Sequence, residues 1–147
     1  MKKFRESDKN RFIACFIVML IFLISLGVEC YCTSEKCRLG IDIFITGFFE
    51  MFFGGAAITW LANPLFIIGV ILTFKGSKVS ALVFSALAVT FCLTFLLFNN
   101  VIEDEAGNYR QVISYKLGYW LWTLSTFLLL TCNLIFRKVH QVTDNRF

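Results

Sequence analysis

Cys30, Cys32 and Cys37 are the residues best spaced for chemistry in this chain. Thiols this close can pair, exchange electrons or hold a soft metal ion. An oxidising compartment permits a disulfide between them. Cys32–Cys37 closes a short loop and is the preferred pair; Cys30–Cys37 is the alternative, and either leaves one thiol over. A thiol–disulfide relay in a four-helix bundle ordinarily shows a CxxC pair and a second pair in another loop. This chain has neither. Three cysteines without a nearby histidine make a weak zinc set. Cys15, Cys92 and Cys132 fall within apolar runs and read as small packing residues.

Other chemistry is sparser. The lone histidine, His140, lies in the C-terminal tail, far from the cysteines. There is no GxSxG, no HExxH and no Gly-rich phosphate loop, so no catalytic set is expected, and no cofactor or metal. Glu103, Asp104 and Glu105 form an acidic run that reads first as a solvated face and only second as a cation site. The sharpest polar element inside an apolar run is Trp60-Leu61-Ala62-Asn63-Pro64. Pro64 cannot donate to the Trp60 carbonyl, so a kink is expected there. The Asn63 amide is costly in an apolar medium unless bonded, so it should turn inward to a freed carbonyl or a neighbouring helix. Lining of a pore is the second role for Trp60, Asn63 and Pro64.

The elements that hold these residues are long and apolar. Residues 12–28, 51–74, 79–98 and 117–136 contain no Asp, Glu, Lys, Arg or His. About 20 such residues cross a hydrocarbon core of about 30 Å. Hydrophobic residues make up 58% of the chain, against about 45–50% in a soluble domain. The expected fold is therefore all-α: a four-helix transmembrane bundle in a single integral membrane domain over residues 1–147, with spans near 12–28, 54–74, 79–98 and 117–136. The first span begins like a secretion signal, but Glu29-Cys30-Tyr31-Cys32 offers no small-x-small cleavage site, and it reads as a retained anchor.

Charge sets the direction of insertion. Lys2, Lys3, Arg5, Lys9 and Arg11 precede the first span, Lys75 and Lys78 flank the second loop, and Arg137, Lys138 and Arg146 follow the fourth span. The first and third loops, with the adjoining helix ends, hold Glu29, Glu35, Asp42, Glu50, Glu103, Asp104 and Glu105 against Lys36, Arg38, Arg110 and Lys116. Basic residues stay cytoplasmic during insertion, so both termini are expected inside. The net charge of +4 follows from this pattern and does not point to nucleic acid.

Between the first two spans, residues 41–74 would make about 51 Å of helix at 1.5 Å per residue, too long for one crossing. Residues 41–53 therefore read as an extra interfacial amphipathic segment before the second span, ending near Gly54-Gly55, with one long projecting helix as the alternative. Ala81, Ser85, Ala88 and Cys92 recur at helical spacing and read as a close-packing stripe. Tyr115, Lys116, Tyr119, Trp120 and Trp122 read as an interfacial aromatic belt.

At WLANPL, and at DEAGNY followed by GYWLW, the chain resembles a group of small uncharacterised bacterial four-span inner-membrane proteins. The matching residues are Trp60, Ala62, Asn63 and Pro64, then Gly107, Asn108 and Tyr109, then 118–122. The likeness covers roughly residues 40–136. It implies a bacterial inner (cytoplasmic) membrane and a multi-pass bundle, and carries over no activity. The leading expectation is a non-enzymatic sensor or accessory component. Its partner would be a membrane protein or a second copy, and the lipid bilayer would surround it. Glu103, Asp104, Glu105, Tyr109, Tyr115 and Lys116 would form its outer surface. A small oligomeric pore or transporter ranks second, and a thiol oxidoreductase third.

Overall fold

Away from water, a chain must satisfy its backbone internally, and a run of apolar residues does so as a helix. Among the described residues, four helices are long and apolar enough to cross a membrane: Asp8–Leu26, Gly55–Phe74, Lys78–Leu97 and Leu117–Arg137. The computed structural model describes the backbone over residues 2–102 and 108–144, and side chains over 8–102 and 108–137. Helix α1 covers Lys2–Leu26, α2 Gly40–Glu50, α3 Ala62–Phe74, α4 Lys78–Thr94 and α5 Leu117–Asp144. Helix α1 packs on α5, α5 on α4 and α4 on α3, while α1 also touches α3.

Within lipid there is little hydrophobic gain from bringing helices together, so close packing and hydrogen bonds must do it. Ala81, Ser85, Ala88 and Cys92 are all buried, the small-residue stripe the sequence suggested. The centre is closed by Val18, Phe22, Phe66, Val70 and Leu129. Phe12, Phe16, Leu20 and Leu23 on α1 remain exposed, as do Leu124 and Phe127 on α5. Apolar surface on this scale needs cover, and lipid would provide it.

The all-α expectation needs correction. Strands β1 (Glu29–Thr33), β2 (Cys37–Leu39), β3 (Asn100–Ile102) and β4 (Tyr109–Tyr115) form one antiparallel sheet in the order β2-β1-β4-β3. Cys32 lies opposite Cys37, Tyr31 opposite Tyr115, and Ile102 opposite Tyr109. The first and third connections therefore meet in one cap at one end of the bundle. The physical cause is backbone demand: two loops emerging side by side satisfy each other's N–H and C=O groups by pairing.

The stretch before the second span is a separate helix. Helix α2 passes into a 3₁₀ turn, Met51–Phe53, and the chain breaks at Gly54 and Gly55, whose φ angles are 79° and 63°. Side chains rarely adopt this left-handed backbone, so glycine suits both positions. Ile45, Phe49, Phe52 and Phe53 stay exposed around this turn. The second crossing then starts as a 3₁₀ helix, Gly55–Leu61, and becomes α-helical at Ala62. The expected mid-helix kink at Pro64 takes this other form. Pro64 sits in the first turn of α3, where a missing N–H costs least.

Candidate functional site

Beneath the sheet lies a partly enclosed cavity of about 70 Å³. Its walls come from the last turn of α1, from β1, from α2, from the 3₁₀ stretch before α3, and from the first turns of α5. Aromatic rings dominate: Tyr31, Phe44, Trp60, Phe95, Tyr119 and Trp122. They touch in series. Phe95 lies 5.5 Å from Tyr31 and 5.7 Å from Tyr119, and Tyr119 lies 6.0 Å from Trp122.

Polar groups at the wall are few and mostly committed. Trp60 Nε1 donates to the Phe44 carbonyl at 2.9 Å, which ties α2 to the second crossing. The Trp60 ring lies over Gly47; a Cβ there would fall 2.3 Å from Trp60 Cδ1, so only glycine fits. Tyr119 donates its hydroxyl to the Cys92 carbonyl at 3.0 Å. Trp122 Nε1 donates to Asn63 Oδ1 at 3.0 Å, which joins α5 to α3. Asn63 is 6% exposed, and no acceptor for its Nδ2 appears among the described residues.

On the sheet side an ionic knot lies behind the wall residues Tyr31, Glu50 and Ile102. Arg38, on β2, is 7% exposed. It pairs with Glu50 at 3.1 Å and donates to Thr46 Oγ1 at 2.5 Å, to Tyr31 Oη at 3.4 Å and to the Ile102 carbonyl at 3.4 Å. One guanidinium thus fastens β2 to α2, β1 and β3. Burial works against its charge, but the Tyr31 phenol and the Glu50 carboxylate outweigh that and raise its pKa. Burial pushes the Tyr31 hydroxyl up to about 12, with Arg38 pulling the other way. The Cys30 thiol is likewise pushed up to about 12, by burial first and by the nearby Cys92 second, against a smaller opposing pull from Arg38.

Cys32 and Cys37 form the disulfide, and Cys30 is a free, buried thiol in the cavity wall. Glu29, Cys32 and Cys37 bring a carboxylate and two sulfurs within 4.8 Å, but the disulfide uses both sulfurs and leaves the carboxylate alone. A raised pKa also keeps Cys30 protonated near neutrality, a poor state for attack on a disulfide.

The expected outer surface divides. Glu103, Asp104 and Glu105 lie outside the described residues. Tyr109 is exposed on β4 with Arg110 and Ile113. Tyr115 and Lys116 are half-buried, and Tyr115 packs on Phe95 and Tyr119. The aromatic belt narrows to Trp120, which is half-exposed, whereas Tyr119 is fully buried and Trp122 turns to Asn63. These two share a helix face with Thr123, Thr126, Leu129 and Asn133; Tyr119 and Trp122 line the cavity, while Thr123 and Asn133 bond to Cys92, Thr73 and Ser85 on the neighbouring helices.

Arg38, Glu50 and Asn133 are the important side chains that pattern reading did not single out. Asn133 bridges three helices: its Oδ1 accepts from Thr73 at 2.9 Å, and its Nδ2 reaches the Ala81 carbonyl and Ser85 at 3.4 Å each. The signal was present, since 119, 122, 126, 129 and 133 repeat at helical spacing and carry both polar and aromatic groups. No protein-family model, curated protein or solved structure matches this chain.

Proposed function

We propose that this is a multi-pass protein of a bacterial inner membrane, with both termini in the cytoplasm, acting without catalysis as a sensor or accessory component. The observation that carries this reading is the sheet. It joins the first and third connections at the one end of the bundle that most basic residues avoid. Retention of Lys and Arg in the cytoplasm would put that end outside. A cap tied by a disulfide and by Arg38 offers a stiff surface for a partner. Tyr109, Arg110 and Ile113 are exposed on it, and β2 and β3 form its edges, the part of a sheet that most readily adds a partner strand.

The cavity that reaches Asn63 favours the second reading, an oligomeric pore or transporter. Against a route through one copy stand Phe66, Ala88 and Leu129, which close the core beyond the cavity. A thiol oxidoreductase ranks third.

A photo-crosslinking amino acid at Tyr109 or Ile113, with Leu124 as the lipid-facing control, tests the leading reading in intact membranes. Discrete protein adducts are expected at the first two positions and lipid adducts alone at Leu124. Absence of protein adducts at both cap positions would remove the interaction reading and move the pore to first place.

A further inference from the structure

We propose that the cavity beneath the sheet binds the carbonyl-bearing end of an acyl chain, the part of a membrane lipid that carries its ester. This goes beyond the interaction reading and does not depend on it. The cavity is too large to be a packing defect for one water, which needs only about 10–15 Å³, and smaller than the roughly 150 Å³ that admits a benzene ring. At about 70 Å³ and partly open, it suits a stretch of chain better than a ring.

The second observation is an unmet donor. The indole N–H of Trp122 can only donate, so the Asn63 atom facing it must be the carbonyl oxygen. That fixes the amide and commits Nδ2 to the other side. Among the described residues no acceptor meets it, although Asn63 is 94% buried by its 6% exposure. A buried donor without a partner is costly, and proteins rarely retain one. The Tyr31 hydroxyl accepts from Arg38, and its own proton meets no acceptor among the described residues. An ester carbonyl brings acceptors and no donor, the complement of these two groups.

The third observation is depth. The cavity is bounded by Ser25 and Leu26 in the last turn of α1 and by Gly118 and Tyr119 in the first turn of α5. These are the levels at which the apolar spans end and the sheet begins. In a bilayer that boundary is where acyl chains meet their ester groups.

The test uses the full-length purified protein in a maltoside detergent. The probes are 1-lauroylglycerol, which carries the ester carbonyl, and 1-dodecylglycerol, its ether counterpart without one. Binding is read from Trp fluorescence and from the rise in melting temperature. Loss of one buried hydrogen bond corresponds to about tenfold in affinity, so the ester should bind about tenfold more tightly than the ether. Asn63→Leu should erase that preference. If this variant fails to fold, Ala57→Phe, which fills the wall, should weaken both probes instead. Equal affinities for ester and ether in the natural sequence, or binding of neither, would overturn the proposal. Tighter binding of decylubiquinone than of 1-lauroylglycerol would overturn it in favour of a ring.

Discussion

Cys30 holds its proton in the fold up to about pH 12, while the same thiol in an unfolded chain gives it up near its ordinary value of 9.0. Tyr31 behaves alike, with about 12 in the fold against 10.0. Above pH 9 the folded state therefore binds more protons than the unfolded one, and stability must fall as pH rises. The contribution is fully present below pH 9 and is lost as pH climbs through 12. Melting followed from pH 8 to 11 should show this decline, and Cys30→Ala should make it shallower, with the Tyr31 share remaining; an unchanged slope in that variant would contradict the assignment to Cys30. The same buried thiol should resist iodoacetamide at pH 8 until the protein is unfolded. Arg38 makes a different prediction. Removing one member of a buried ion pair costs about 3–5 kcal/mol, but Glu50 keeps 22% of its side-chain surface in contact with solvent, which lowers the figure. Arg38→Met should therefore cost about 2–3 kcal/mol, seen as a lower melting temperature with the helical signal retained.

At the scale of elements, the β1–β2 hairpin and the helix bundle should respond separately. The Cys32–Cys37 bond closes a loop with a sequence separation of 5. Loop-closure entropy for so short a loop amounts to about 2 kcal/mol. Unreduced mass spectrometry should find the two cysteines in one linked peptide, and full alkylation of both without prior reduction would exclude the bond. Among the helices, Asn133→Leu would break the bridge from α5 to α3 and α4. Thr73 and Ser85 keep bonds to the Gly69 and Leu82 carbonyls of their own helices, so few groups are stranded. A modest loss of about 0.6–2 kcal/mol is expected. The four long helices were legible in the sequence because each declares itself locally, by about 20 residues without charge. The sheet was not. Its strands are 3 to 7 residues long, too short for a period to show, and β1 finds β4 only after about 80 intervening residues. Tyr119 and Trp122 were misread for a related reason: their position near a span end suggests a belt, and only the three-dimensional cap reveals that this face is covered. Asn63 was legible as an inward group bonded to a neighbouring helix, but its partner, Trp122, was not.

For the whole molecule the decisive question is which way it crosses the membrane. The sheet requires the first and third connections to share one end, so β1 and β2 must lie on the same side as β3 and β4 of any bilayer that the four helices cross. The second connection and both chain ends then lie on the other side. Charge assigns the sides independently. Lys75 and Lys78 flank the second connection, and Lys2, Lys3, Arg5, Lys9 and Arg11 precede the first span, whereas the sheet end carries most of the acids. Basic residues resist export during insertion, so on the proposed reading the sheet end would face outward. The disulfide agrees, because such bonds persist in oxidising compartments and are rare in the cytosol. A reporter active only outside the cytoplasm, fused after Arg38, Ser77, Gly107 or Phe147, should give signal at Arg38 and Gly107 alone. Signal at Ser77 with silence at Arg38 would invert the protein and place its disulfide in a reducing compartment. Signal at Phe147 together with Arg38 and Gly107 would show that α5 does not cross, leaving the exposed side chains of Leu124 and Phe127 without lipid to cover them.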